Sequence, residues 1–317
     1  MASSCRLPGT GRRGARGWAF AQGVLLLALA GCGCCSPEVE GPSPPGTTTA
    51  EFLGPDDFSG EFLHRCGDTK FGGQATWEGR AIVVNVPDTA ARQMLPSGFQ
   101  LAKNTPPHAN LHPVLVLLGH QLDSKYVLPS ANPAVGVDYT EMIVLLPFVQ
   151  KAGKQRWHNL IVRIYLDDLA ALYLGNLYYG TMKEEATFTE TPSSVEVRRN
   201  GVPWFTATFS PNGPWMDNAD AETTLPNYPA LQTILEMPVQ GTLTHVPGTP
   251  PACSYFEWSY ATARVRRVSA KLAFLQPLRT GVTSWTALGQ LGSVGDGAWE
   301  IEKIRWRLAF PPIECEL

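Results

Sequence analysis

The sequence predicts a mainly β chain with a few short helices, in the α+β class, folded as an antiparallel barrel. Three observations lead there. Short apolar, β-branched runs recur along the chain, turn residues separate them, and long helical periods are few. Neither a repeat of fixed period nor a glycine-rich phosphate-binding spacing is present, so a nucleotide cofactor has no support.

Taken in order, Arg80–Val86 reads as a strand ended by Pro87-Asp88, and Thr89–Met94 as a short helix closed by Leu95-Pro96-Ser97-Gly98. Pro113–Gly119, Tyr139–Val149 and Leu160–Leu166 are further strands, the last followed by a short helix over Asp167–Leu174. Acidic residues favour a helix start, so Asp167 and Asp168 are better explained there than as a metal pair. Val195–Ser210 is expected to be a hairpin. Its Asn200-Gly201 pair supplies the two positive-φ residues that a tight turn between twisted strands needs. Tyr255–Ala263, Val265–Leu275 and Trp299–Ala309 complete the β pattern.

Ahead of this domain the composition changes. A basic leader with Arg6, Arg12, Arg13 and Arg16 precedes the apolar run Val24–Ala30, which is too short to span a bilayer comfortably. Residues 1–31 therefore read as an export signal. Leu29-Ala30-Gly31-Cys32 resembles the lipobox of bacterial lipoproteins, which implies lipidation of Cys32 and a place in the cell envelope, with secretion as the alternative. Residues 32–60 are rich in proline, glycine, serine and threonine and read as a flexible tether. Residues 61–317 form the expected single domain. After export a disulfide between two of Cys66, Cys253 and Cys315 is expected, with the pairing open.

The net charge of −3 gives no electrostatic case for nucleic acid, and no cysteine lies in a paired metal-ligand spacing. Arg264, Arg266 and Arg267 read as the solvent face of a strand. His108, His112, His120, His158 and His245 are scattered without a catalytic-triad context.

The chemistry points to Leu172–Glu185. Gly175 and Gly180 bracket Tyr178 and Tyr179, and three residues on stands Lys183, alone among lysines between Lys154 and Lys271. An amine among apolar and aromatic neighbours suits imine formation, because burial favours the uncharged, nucleophilic form. Taking a lysine from about 10.4 to about 7 requires on the order of 4 kcal/mol. A solvated lysine after a turn is the plainer alternative.

This segment resembles the lysine motif of the acetoacetate decarboxylase family, Gly-Arg-Glu-x-x-Gly-x-Pro-Lys-Lys. Gly175, Asn176, Leu177, Gly180, Met182, Lys183 and Glu184 stand at the matching places. Tyr139-Thr140-Glu141 matches a Tyr-x-Glu ahead of a strand, and Ile164–Ala171 and Pro226-Asn227-Tyr228 follow in order. The resemblance implies an acetoacetate decarboxylase-like barrel, a Schiff base on Lys183 and a second catalytic group in Glu141. It also implies substrate-binding roles for Tyr139 and Glu184, a small keto acid or carboxylate as ligand, no cofactor, and homo-oligomers; Tyr178 and Tyr179 either line the substrate pocket or pack the core. Glu184 stands where the family has a second lysine. If Lys183 lies in a strand, Glu184 points to the opposite face while Glu185 shares its side. The family's early-strand arginine falls on Arg80 or Trp77. A non-catalytic barrel binding a small ligand is the competing reading, and an assembly module a third.

Overall fold

The computed structural model describes residues 70–102, 110–126, 137–154, 156–241, 252–276, 290–291, 297–310 and 313–314. The export signal, the tether and the lipidation site Cys32 lie outside the described residues.

The first strand, β1 (Lys70–Pro87), starts ten residues before the apolar run that marked it and leads into α1 (Asp88–Gln93). After β2 (Phe99–Leu101) come three long strands: β3 (Leu111–Tyr126), β4 (Val137–Lys151) and β5 (His158–Leu166). Helix α2 (Leu169–Tyr179) crosses from β5 to β6 (Lys183–Glu185), which pairs parallel to β5. Next are β7 (Thr187–Thr191), β8 (Ser194–Arg199) and β9 (Val202–Pro211). The turn between β8 and β9 has Asn200 at φ 50 and Gly201 at φ 76, the backbone its sequence demanded.

A short β10 (Met216–Asp217) precedes two helices that the strand-dominated reading missed, α3 (Asn218–Thr224) and α4 (Tyr228–Glu236). The signal for α4 was present: proline near the start, then buried Tyr228, Leu231, Ile234 and Leu235 on one face. The chain ends with β11 (Val239–Gln240), β12 (Ala252–Ser254), β13 (Phe256–Ser259), β14 (Arg264–Phe274), β15 (Gln290–Leu291), β16 (Ala298–Phe310) and β17 (Ile313–Glu314).

Pairing runs from β13 through β16, β1, β3, β4 and β5 to β11 and β12. The chain is mainly β, as expected, but the simple antiparallel barrel needs correction. The sheet is mixed, because β6 and β11 both join β5 in parallel. Nor is it a closed barrel of continuous strands: β12 and β13 are separated by Tyr255, one pairing with β11 and the other with β16. The crossover helix α2 makes the β5–β6 join possible, since parallel neighbours cannot be linked by a tight turn.

Strands β7, β8, β9, β15 and the second half of β14 form another layer. Alternation then gives the main sheet two buried faces. Val84, Val116, Val144 and Val162 pack with Phe205, Ala207 and Leu272 of the other layer. Trp77, Leu117, Leu145 and Ile161 face inward, with α2, α4 and Trp306. Every residue of β5 is buried because both its faces are covered. Cys253 is disulfide-bonded, and its partner lies outside the described residues.

Candidate active site

The inward face encloses a mostly apolar cavity of about 100 Å³. Its walls are built in two-residue steps, as strand geometry requires. Strand β4 contributes Tyr139, Glu141, Ile143 and Leu145, and β16 contributes Ile304, Trp306 and Leu308. Trp77 enters from β1, Leu117 and Gln121 from β3, and Ser254, Phe256 and Trp258 from β12 and β13. Helix α2 and the turn after it supply Gly175, Tyr179 and Thr181, and Lys183 follows at the start of β6.

Local structure explains how Lys183 comes to lie there. Asp168 caps α2 by accepting from the Ala171 N–H at 2.7 Å, as its acidic start suggested, and Asp167 accepts from the Thr140 N–H at 2.8 Å. Gly180, at φ 60, ends the helix in the left-handed conformation that glycine adopts without penalty. The chain then turns back, and Asn176 clamps it. Its Oδ1 accepts from the Lys183 N–H at 2.7 Å, while its Nδ2 donates to the Lys183 carbonyl at 2.9 Å. Asn176, at an arginine position of the family motif, thus mimics a neighbouring strand.

The lysine side chain runs across the helix at Gly175. A Cβ on that residue would sit 2.4 Å from Lys183 Cε and 2.8 Å from Nζ, so any other residue would make the lysine side chain shift from this path. The amine donates to the Ala171 carbonyl at 3.2 Å and lies 5.8 Å from the Tyr139 ring centroid.

Glu141 is 2% exposed and accepts from Gln121 Nε2 at 2.5 Å, while Gln121 Oε1 in turn accepts from Trp306 Nε1 at 2.7 Å. Burial pushes the Glu141 carboxyl above the usual range; the Lys183 ammonium and the Gln121 amide pull it back. Among the described residues that line the cavity, Lys183 and Glu141 are the only charged ones. Asn159 is held by donation to the Ile234 carbonyl at 2.5 Å, leaving its buried Oδ1 without a partner among the described residues. Trp77 Nε1 and Thr181 Oγ1 are buried and unpartnered in the same sense.

Of the residues singled out in the sequence, Lys183, Glu141, Tyr139 and Tyr179 come together at the cavity. Tyr178 lies in α2, and its side chain is outside the described ones. The expected substrate-binding role of Glu184 needs correction. Lys183 is in register with Ile164, which faces inward, and Glu184 with Tyr165, which faces the other layer. Alternation sends Glu184 to an ion pair with Arg163 and to another, at 2.7 Å, with Arg199. Glu185 is exposed and does not line the cavity.

Arg80 is not an active-site arginine either: it pairs with Glu300 at 2.8 Å and stacks 4.5 Å over the Phe209 ring. Trp77 takes the place at the cavity wall. Gln121, Asn159, Thr181 and Trp306 were missed, because single polar or aromatic residues in apolar strands, or in a turn, carry no spacing signal. Among the described residues no group of three or more His, Cys, Asp or Glu side chains could hold a metal ion.

No protein-family model matches the chain, and no curated protein matches it in sequence. Solved structures do. The enduracididine biosynthesis enzyme MppR, complexed with pyruvate, is similar with a TM-score of 0.51 at 14% identity, over 75% of this chain and 88% of that one. Acetoacetate decarboxylase from Legionella pneumophila subsp. pneumophila str. Philadelphia 1 is similar with a TM-score of 0.50 at 15% identity, over 87% of this chain and 98% of that one. With the layered mixed sheet, the crossover helix and a likeness that spans most of both chains, the protein has the acetoacetate decarboxylase-like fold.

Proposed function

We propose that the protein is an enzyme that binds a small carbonyl compound as a Schiff base on Lys183, in decarboxylation or related aldol-type or dehydration chemistry. The observation that supports this reading best is the Lys183 amine threaded past Gly175 into an apolar cavity that also holds Glu141. A Schiff base forms by attack of a lysine amine on a carbonyl carbon. Once formed, the iminium accepts the electron pair released at the neighbouring carbon. Glu141 moves the proton, a task suited to a carboxyl whose acidity burial weakens. A keto acid is the class that the sequence resemblance implies, and one fold neighbour is complexed with pyruvate.

Sodium borohydride added with a panel of small ketones, aldehydes and keto acids tests the proposal. The expected result is a reduced adduct mapped to Lys183 by peptide mass and absent from Lys183→Ala. No adduct across the panel would overturn it.

Among the described residues no arginine lines the cavity, which favours a second reading, a non-catalytic barrel that binds a small apolar ligand. Thermal stabilisation by a ligand that survives Lys183→Ala, without turnover, supports that reading. On the sequence pattern we also propose lipid attachment at Cys32 and an envelope location. Fatty-acid labelling of the chain, lost in Cys32→Ala, is the expected result.

A further inference from the structure

We infer that Gln121, anchored by Trp306, is a positioning residue for the proton step of the proposed reaction. It fixes Glu141 Oε1 as a hydrogen-bond acceptor, so that Oε2 is the oxygen that takes and gives the proton. This rests on the Schiff-base reading and names the atom through which its proton moves.

Donor chemistry sets the direction of the chain. An indole N–H can only donate, so the Gln121 atom that Trp306 Nε1 meets at 2.7 Å is the amide oxygen. The amide nitrogen is left for Glu141, and it donates to Oε1 at 2.5 Å. That assignment holds whichever protonation state Glu141 is in, because a proton on Oε1 would stand against the amide N–H. Gln121 and Trp306 are each 5% exposed, so a flipped amide would set two buried donors face to face, at the cost of an unmade hydrogen bond.

Sheet geometry puts the three in line. Glu141 in β4 is in register with Gly119 in β3, which has no side chain to stand between them. Gln121, two residues further along β3, reaches Glu141 on the diagonal. Trp306 comes from β16, which lies across β1 from β3. Its indole packs edge-on against Phe256, with ring centroids 5.4 Å apart, and Phe256 stacks on Trp258. The aromatic wall holds the N–H in place, and the amide passes that orientation to the carboxyl. Among the described residues Glu141 Oε2 makes no hydrogen bond, and the other titratable groups at the cavity are Lys183 from β6, Tyr139 from β4 and Tyr179 from α2.

In the step this arrangement serves, Oε2 takes a proton from the carbon next to the iminium. The C–H electron pair becomes the carbon–carbon double bond of an enamine, and the C=N electrons settle on nitrogen. Return of a proton from Oε2 to that carbon restores the iminium, and water then releases the carbonyl compound and the amine. After loss of carbon dioxide the same oxygen protonates the enamine carbon. The Gln121 N–H favours the carboxylate form of Glu141, against the burial that disfavours it.

Exchange of the methyl hydrogens of pyruvate and of acetone in deuterium oxide, followed by NMR against pD, reads this step. Borohydride trapping on Lys183 is measured in parallel, and each exchange rate is divided by it. Exchange is expected to vanish in Glu141→Gln and, in the unmodified protein, to fall as pD drops through the pKa of Glu141. Gln121→Leu removes the donor, so this acid limb is expected to move up by about one pH unit. Trp306→Phe removes the indole N–H and leaves every atom bonded to Glu141 in place. The freed amide no longer keeps its direction, so the limb is expected to move the same way by a smaller amount. Either variant alone gives the sign. A limb that stays or moves to lower pD overturns the inference, as does trapping without exchange, and both leave the Schiff base standing. No adduct with either compound also overturns it, and no adduct across the wider panel overturns the Schiff base as well.

Discussion

The cavity and the outer faces of the same sheet treat their charges in opposite ways. Inside, Lys183 and Glu141 meet mostly rings and aliphatic side chains, and their polar partners are a backbone carbonyl and a neutral amide. Outside, charges come in mutually answering groups. Glu300 is shared by Arg80 and Arg266, Glu184 by Arg163 and Arg199, and His120 lies 3.0 Å from Glu190. Even the arginines expected to face solvent are engaged, with Arg266 also 4.5 Å over the Trp215 ring. A charge saturated by opposite partners holds elements together, and one kept dry with few partners retains free energy that a reaction can use. Lys183 and Glu184 are neighbours in the chain, yet strand alternation assigns one to each regime.

That contrast can be broken from either side. The largest effect is expected from Lys183→Met, which should abolish borohydride adducts completely. The apolar replacement fits an apolar cavity, so the melting temperature should hold or rise in a thermal-denaturation scan. Gly175→Ala comes next. The new methyl group would lie 2.4 Å from the lysine Cε and displace the side chain, so trapping should fall about tenfold or more. Alanine is the better helix residue by about 1 kcal/mol, so the displaced lysine rather than unfolding would account for the loss.

Glu184→Gln works the outer face. It leaves Arg163, with a side chain only 9% exposed, short of its carboxylate partner and should cost about 2 kcal/mol in denaturant unfolding. Trapping at Lys183 should persist, since Glu184 is not at the cavity. If it vanishes, the two regimes are not independent.

The smallest effect concerns pH and the His120–Glu190 contact between β3 and β7. Glu190 raises the pKa of His120 above 6.5, so this contribution is fully present below about pH 6.5 and is lost as pH rises through the raised value. His120 lowers the pKa of Glu190, whose contribution is present above the ordinary carboxylate range and lost as pH falls through the depressed value. The contact is therefore strongest in mildly acidic solution. With the His120 side chain 40% exposed, the amount is below about 1 kcal/mol. Melting temperature against pH should show this slope in the unmodified protein and a flatter one in His120→Ala.

Much of the fold was legible because its signals are local. Asn200-Gly201 specifies its turn through backbone conformations that few other residues tolerate, and Asp168 marks the start of α2 because a carboxylate answers free N–H groups there. The lysine motif was legible for the same reason: Gly175, Gly180 and Lys183 act within one helix and its return turn. Helices α3 and α4 were passed over because short helical periods are weak beside a chain of strand signals. Gln121, Asn159 and Trp306 carried no signal, since each acts through a partner 20 to 185 positions away.

Composition, alternation and turn chemistry by themselves determined that this chain is mainly β, where its turns fall and which lysine is set apart. Only the tertiary structure decided that Lys183 shares a cavity with Glu141, that Glu184 turns away from it, and that no arginine stands at its wall among the described residues. The division follows from range. A strand's alternation is fixed by its own backbone, but which faces meet is fixed by register and by the parallel joins to β5, and those are set by packing across the whole sheet.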